Sequence, residues 1–185
     1  MFHNIPLIIS IFFWLIGEGL VFLNHSKKDG PVNNRGSSLL LDAGTILFFL
    51  VSFFLIINGY GYIDIPFISL TGLVITLSGV IFRHYSIYIL GEFFNGNIRI
   101  KENHRLIKAG PYKYFRHPSY FGSVIAYLGI GLSMNNIYSL FIFPLGIIFI
   151  YMYRTKVEEE ILLQTFSNEY KHYKENTWGF IPFIK

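Results

Sequence analysis

Five apolar segments, separated by polar stretches, run along the chain and predict five helices. They span residues 5–23, 39–57, 66–90, 119–134 and 137–153. The first three reach the roughly 17 to 25 residues that a helix needs to cross a bilayer. The last two are shorter and are separated only by Asn135 and Asn136. We therefore predict five membrane-spanning helices, of which the last two form a tight hairpin.

The composition agrees with a chain whose main solvent is lipid. Hydrophobic residues make up 52% of the 185 residues and charged residues only 14%, whereas a soluble domain carries about 25% charged residues. The length suits one domain, residues 1–185. Because the chain has no cysteine, disulfides, thiol nucleophiles and zinc-thiolate sites are excluded, and we predict no metal site. The fold class expected is an all-α integral membrane bundle.

The distribution of positive charge predicts the topology. Fourteen of the fifteen lysines and arginines lie between helices one and two, between helices three and four, and after helix five. Five crossings put all fourteen on one face, and the positive-inside rule makes that face cytoplasmic. The N-terminus is then outside. The first segment carries Glu18 and lacks a basic leader, which favours a retained helix over a removable signal peptide.

Four ionisable residues interrupt the apolar segments, where charge is costly: Glu18, Asp42, Arg83 and His84. At about 1.5 Å per residue, the first three lie roughly 5 to 10 Å from the cytoplasmic ends of their helices. We expect Glu18 and Asp42 to pair within the protein or to reach toward the headgroups. Arg83 requires an anionic partner, either a protein carboxylate or a substrate.

The region after helix five predicts a second functional surface, because Arg154 and Glu158 share one helical stripe. Glu158 begins a run of three glutamates, so it can face inward only while at least one neighbour faces water. Apolar and aromatic residues at helical spacing follow and predict an amphipathic helix on the cytoplasmic surface. They are Leu162, Phe166, Tyr170 and Tyr173.

The 28-residue segment 91–118 is too long for a simple connector. Pro118 suits the first turn of helix four and restricts His117 to extended geometry. His117 and the neighbouring backbone amides then lie at a helix N-terminus, which favours an anionic group. The segment is therefore predicted to hold a ligand.

The stretch Gly110-Pro-Tyr-Lys-Tyr-Phe-Arg-His-Pro-Ser-Tyr-Phe-Gly122, with the later glutamate run, resembles the isoprenylcysteine carboxyl methyltransferase family. The resemblance implies S-adenosylmethionine bound in a cytoplasmic pocket made by residues 91–118, helix four and residues 154–185. It also implies a lipidic or prenylated acceptor whose carboxylate enters from the bilayer.

Residue roles follow from the same resemblance, which implies that Arg83 and Arg154 hold the acceptor carboxylate. The residues implied to bind the cofactor are Asn97, His104, Arg105, Leu106, Ile107, Tyr112, His117, Pro118, Ser119, Tyr120 and Glu158. Methyl transfer to a carboxylate, which has a pKa of about 4, requires no general base. Positioning by two arginines is what this chemistry needs.

Three other functions stay open. An N- or S-methyltransferase of the same superfamily would share the cofactor segment, but an amine acceptor would need a base such as Glu158 or His84. The sterol-type membrane reductases, which bind NADPH, have a similar segment but usually carry Asn where this chain has Ser119. A non-enzymatic membrane subunit would leave the cofactor segment unexplained. The sequence predicts neither nucleic-acid binding nor an obligate protein partner.

Overall fold

The computed structural model describes residues 5–25, 35–94 and 105–184, and five helices make up most of this part of the chain. Short 3₁₀ turns occupy Gly91–Phe93 and Gly110–Lys113. The helices are α1 (Ile5–His25), α2 (Ser37–Ile57), α3 (Ile68–Leu90), α4 (Pro118–Ser133) and α5 (Ile137–Glu175). The predicted all-α membrane bundle is therefore confirmed.

Three of these segments are long and apolar enough to cross a bilayer: α2, α3 with its following turn, and α5. The apolar part of α1, Ile5–Val21, is shorter. At about 1.5 Å per residue, the 16 residues of α4 extend about 24 Å, which is less than the ~30 Å thickness of the hydrocarbon core. That α1 and α4 cross the bilayer is therefore inferred from the predicted topology and not from their length.

The turn between α4 and α5 is as tight as predicted. Asn136 caps α5, because its Oδ1 accepts hydrogen bonds from the backbone amides of Tyr138 and Ser139, both at 3.0 Å. The Asn136 Nδ2 donates to the carbonyl of Tyr60 at 2.6 Å. One asparagine thus starts α5 and ties the hairpin to the α2–α3 connection.

Glycines let α3 and α4 pack backbone against backbone. Gly72 and Gly79 on α3 face Gly122 and Gly129 on α4 across this seam. A Cβ atom at Gly122 would lie 2.7 Å from the backbone nitrogen of Arg83, closer than side-chain carbons approach backbone atoms. The seam therefore holds the backbone of Arg83 directly against α4.

The outer helices pack less extensively, α1 mainly on α3 and α2 on α5. On α1, a Cβ at Gly17 would lie 2.7 Å from the ring of His84 on α3, and the Phe49 ring of α2 lies 4.8 Å from that of Phe143 on α5. Most side chains of α2 are exposed in the protein although the helix is strongly apolar. That combination is expected where lipid is the solvent.

Helix α5 is longer than the predicted segment 137–153, because it continues past Tyr153 into the predicted amphipathic region. Its backbone leaves helical geometry at Ser167 (φ 46°, ψ −116°) and resumes beyond it. Tyr170 and Tyr173, two members of the predicted apolar stripe, are buried. The predicted surface helix is thus the last part of α5, packed against the segment that precedes α4.

Candidate active site

Arg83 is a buried cation held by groups of two other helices. Its Nε and Nη2 donate to the two carboxylate oxygens of Glu18 at 2.8 and 3.1 Å. Its Nη1 donates to Ser123 Oγ at 2.9 Å and to the Ser119 carbonyl at 3.4 Å. The anionic partner that the sequence required is therefore a protein carboxylate, which α1 supplies through a bidentate pair.

Arg154 lies on α5 and is also buried. Its Nε donates to the hydroxyl oxygen of Tyr120 at 2.8 Å, and its Nη1 donates to Ser37 Oγ at 3.3 Å. The same tyrosine hydroxyl donates to Glu158 Oε2 at 3.0 Å. Tyr120 thus connects the arginine to the glutamate run, and its ring stacks on Tyr151 at 4.4 Å.

The two arginines meet at one end of α4. Arg83 contacts Ser119 and Ser123, and Arg154 contacts Tyr120. These three α4 residues belong to its first two turns, immediately after His117. Two guanidinium groups and the predicted ligand-binding segment therefore share one small region of the protein.

His117 is enclosed by two carboxylates. Its Nδ1 lies 3.4 Å from Glu158 Oε2 and its Nε2 lies 3.2 Å from Glu159 Oε1. An ionised carboxylate only accepts hydrogen bonds, so both ring nitrogens must carry protons. Burial opposes this charge, but the two glutamates outweigh it and raise the pKa of His117 to about 9. The cationic ring stacks on Tyr120, with 5.5 Å between ring centroids.

Glu159 is the centre of a wider ionic cluster. Besides His117, it accepts from Arg116 Nε at 2.6 Å and lies 2.6 Å from Lys174 Nζ. Burial favours the protonated form of Glu159, but His117, Lys174 and Arg116 together hold its pKa well below the ordinary value. The pKa of Glu158 is lowered as well, against the effect of burial, chiefly by its hydrogen bond with His117. Both carboxyl groups are therefore ionised.

The C-terminal part of the chain clamps the segment that carries His117. Arg116 Nη1 donates to the Thr177 carbonyl at 2.6 Å, and the Arg116 amide donates to the Trp178 carbonyl at 2.8 Å. The Tyr173 hydroxyl donates to the Tyr112 carbonyl at 2.7 Å. One of these contacts joins backbone to backbone and two join a side chain to a backbone carbonyl, so residues far along the sequence position the predicted ligand-binding segment.

Several cofactor residues implied by the resemblance lie in this region. Tyr112, His117, Pro118, Ser119 and Tyr120 are buried, and the side chain of Glu158 is 30% exposed.

The remaining ones come earlier in the loop, before Tyr112. Leu106 and Ile107 are half-buried, and Arg105 is exposed with its guanidinium 5.6 Å from the Phe93 ring. Asn97 and His104 fall outside the described residues.

The backbone of His117 differs from the expectation. Its φ of −129° is extended, but its ψ of 61° lies well below the range of about 120 to 160° that a following proline favours. His117 is the N-cap residue of α4, and its carbonyl accepts hydrogen bonds from the amides of Tyr120 and Phe121 at 3.1 and 3.3 Å.

Four charged residues of the site were not assigned a role from the sequence: Glu18, Arg116, Glu159 and Lys174. Glu160 faces water and pairs with Arg35 at 2.7 Å, as the periodicity of the glutamate run requires. The signal for Arg116 was its position beside His117. Nothing in the local sequence of Lys174 distinguishes it from a solvated lysine.

The comparisons with known proteins agree on one family. The model of the isoprenylcysteine carboxyl methyltransferase (ICMT) family matches residues 71–164. A probable protein-S-isoprenylcysteine O-methyltransferase of Oryza sativa subsp. indica is 29% identical over 93% of this chain and 96% of its own length. The protein-S-isoprenylcysteine O-methyltransferase of Saccharomyces cerevisiae is 31% identical over 86% of this chain and 72% of its own length. The Homo sapiens protein of the same name is 31% identical over 66% of this chain and 44% of its length.

A solved structure agrees with these relatives. The eukaryotic intramembrane Ras methyltransferase ICMT aligns with a TM-score of 0.61 and 26% identity over 79% of this chain. This chain spans about half of that one, 52% of its length. The membrane fold and the methyltransferase class expected from the sequence are confirmed together. The chain belongs to the isoprenylcysteine carboxyl methyltransferase family.

Proposed function

We propose that this protein transfers the methyl group of S-adenosylmethionine to the carboxylate of an isoprenylcysteine or a similar lipidic acceptor. The observation that carries the proposal is the convergence of two buried arginines, Arg83 and Arg154, on the first two turns of α4. Two guanidinium groups match the two oxygens of a carboxylate in charge and in hydrogen-bonding capacity.

The charge of the site favours an anionic acceptor. Five cationic side chains surround it against three carboxylates, a net excess of two positive charges among the described residues. The cations are Arg83, Arg116, His117, Arg154 and Lys174, and the carboxylates are Glu18, Glu158 and Glu159. An amine acceptor, which is cationic before it loses a proton, would be repelled by this excess.

The candidate bases for an amine acceptor are engaged in other contacts. The ring nitrogens of His84 lie 2.9 Å from the Val80 carbonyl and 3.2 Å from the Gly17 carbonyl. One oxygen of Glu158 interacts with both Tyr120 and His117. Because an ionised carboxylate needs no base, these contacts support O-methylation over N-methylation.

The residues present fit S-adenosylmethionine. Glu158 Oε1 has no hydrogen-bond partner within the described residues, and its partly exposed carboxylate can hold a cation or a hydroxyl group. When bound, S-adenosylmethionine supplies a methyl group on a positively charged sulfur. Glu158 and the segment from Tyr112 to Tyr120 would hold it, together with residues 104–107. The burial of this segment limits the access of water to the reacting groups.

The proposal also implies the side from which each of the two substrates enters the site. Arg83 lies within the apolar length of α3, whereas the cluster around Glu159 lies on the part of α5 beyond the predicted membrane segment. A lipid-linked carboxylate would approach the arginines from the bilayer, and the methyl donor would bind from the polar side. We assign the polar side to the cytoplasm because the basic segments lie there.

A methyl-transfer assay tests the function. The purified protein is incubated with methyl-labelled S-adenosylmethionine and S-farnesylcysteine blocked at its amine, with the corresponding amide as matched control. We expect base-labile label on the acid and none on the amide. Base-stable label on an amine or thiol acceptor would instead establish the N- or S-methyltransferase alternative. Binding of NADPH without binding of S-adenosylmethionine would favour the reductase.

A further inference from the structure

Glu18 contributes to this site from a helix that the family model does not cover. The match spans residues 71–164, and Glu18 lies on α1. Its carboxylate nevertheless occupies the Nε and Nη2 edge of Arg83. This is one of the two edges through which an arginine holds a carboxylate with two parallel hydrogen bonds. An acceptor carboxylate cannot use that edge while Glu18 remains there.

The proposed reaction changes the charge of the group that Arg83 would hold. An oxygen lone pair of the acceptor carboxylate forms the new bond to the methyl carbon. The bond from that carbon to the donor sulfur breaks, and its electron pair stays on the sulfur. The anionic acceptor and the cationic sulfonium thus become a neutral ester and a neutral thioether, and no proton moves. A buried arginine bound to the acceptor would therefore lose its anionic partner in every turnover.

We propose that Glu18 is an exchange partner of the acceptor carboxylate: it holds Arg83 when the site has no acceptor, leaves when the acceptor binds, and returns when the ester forms. The proposal rests on the methyl transfer proposed above. It deepens that function by assigning α1 a role in acceptor binding and in product release. Return of Glu18 restores the pairing of a buried charge that the ester can no longer satisfy.

The contacts of the pair identify Glu18 as its movable member. The side chain of Arg83 is 7% exposed, whereas that of Glu18 is 36% exposed. Arg83 is also held by Ser123 and Ser119, and its guanidinium carbon lies 5.8 Å from the Trp14 ring centroid. Arg83 therefore keeps several contacts when the glutamate leaves, and the partly exposed Glu18 is the member of the pair with room to move.

One neighbour of Glu18 on α1 faces open space. A Cβ atom at Gly19 would meet no other atom within 4 Å. Glu18 lies seven residues before the end of α1 at His25, a distance of about 10 Å along the helix.

The substitution Glu18→Gln separates exchange from simple positioning, because glutamine keeps the size and one acceptor oxygen but not the charge. We expect the KM for the farnesylcysteine acid to fall about tenfold, since the acceptor no longer displaces a charged competitor. The KM for S-adenosylmethionine should stay unchanged, and the affinity for the ester product should change less than that for the acid. Asp42→Asn, another carboxylate in an apolar helix, is the matched control and should leave all three constants unchanged.

A fall in kcat without a fall in the acceptor KM would overturn the proposal. If Glu18 only orients Arg83, Glu18→Gln lowers kcat while the acceptor KM stays the same or rises.

A second measurement needs no variant. Carbodiimide labelling of Glu18 in the wild-type protein, read by mass spectrometry, should increase when the farnesylcysteine acid is added and should not increase with its methyl ester. Unchanged labelling with the acid would refute exchange. A wild-type protein that binds the acid but transfers no methyl group would refute the proposed function instead, so the two failures are distinct.

Discussion

Because His117 pairs with two glutamates, we expect the free energy of unfolding to fall as the pH rises into the alkaline range. The folded protein holds this ring as a cation between Glu158 and Glu159, and its pKa rises from 6.5 to about 9. A raised pKa means that the folded state binds the proton more tightly than the unfolded state does. The contribution is therefore complete below pH 6.5, declines between pH 6.5 and 9, and is absent above that range.

The size of this contribution follows from the shift. At about 1.4 kcal/mol per pH unit, the change from 6.5 to about 9 corresponds to about 3 kcal/mol of unfolding free energy. His117→Gln removes the titrating group but leaves Arg116 and Lys174 on Glu159. This variant should be less stable than the wild type at pH 6.5 and should show a much flatter profile up to pH 9.

Unfolding in detergent micelles, followed by tryptophan fluorescence at a series of pH values, measures the profile. His172→Gln is the matched control, because His172 is exposed on the same helix as the two glutamates. NMR of histidine-labelled protein gives the midpoint directly, with the His117 signal assigned by its loss in the variant. A midpoint close to 6.5, or identical pH profiles for wild type and His117→Gln, would refute the pairing of both ring nitrogens.

Three further predictions test the parts around this cluster. Gly122→Ala forces a Cβ atom to within 2.7 Å of a backbone nitrogen of α3, so the unfolding free energy should fall by about 1 to 3 kcal/mol. The control Gly19→Ala, whose added Cβ meets no atom within 4 Å, should show no such loss. An equal loss of stability in the two variants would contradict the close packing. Tyr120→Phe removes the hydroxyl that joins Arg154 to Glu158, so the KM for the acceptor should rise about tenfold. An unchanged KM in the transfer assay would show that the Tyr120 hydroxyl does not position Arg154. Arg116→Gln removes one charged partner of the buried Glu159 carboxylate and should lower the unfolding free energy by about 2 to 3 kcal/mol. An unchanged denaturation midpoint in detergent would show that this ion pair does not stabilise the protein.

Hydropathy was sufficient to predict the helices, because a bilayer requires long apolar segments. The bounds of α2, α3 and α4 differ from the predicted segments by no more than two residues. The prediction was weakest at the end of α5, since residues after 153 are amphipathic and carry no helix-breaking residue before the irregular Ser167. The helix ends where the Asn176 amide and the Thr177 hydroxyl both donate to the carbonyl of Tyr173.

The partners of charged residues were harder to predict than the charges themselves. The cost of burying Arg83 indicated that an anion must be near, but Glu18 lies 65 positions away in the sequence. Its selection depends on how α1 packs on α3, which the hydropathy pattern does not specify. Likewise, the glutamate run indicated that one member faces water. The inward positions of Glu158 and Glu159 depend on the contacts of α5 with the loop.

The hydrogen bonds from Arg116 to residues 177 and 178 have a consequence for biosynthesis. The ribosome delivers the chain from the N-terminus, so α1 to α4 can enter the membrane while the residues that fasten the His117 segment are still being synthesised. During that interval α1 to α4 are present, but the contacts that hold the His117 segment in place are not. A chain that stalls or ends before Thr177 is therefore expected to form these helices without the hydrogen bonds that hold the segment before α4.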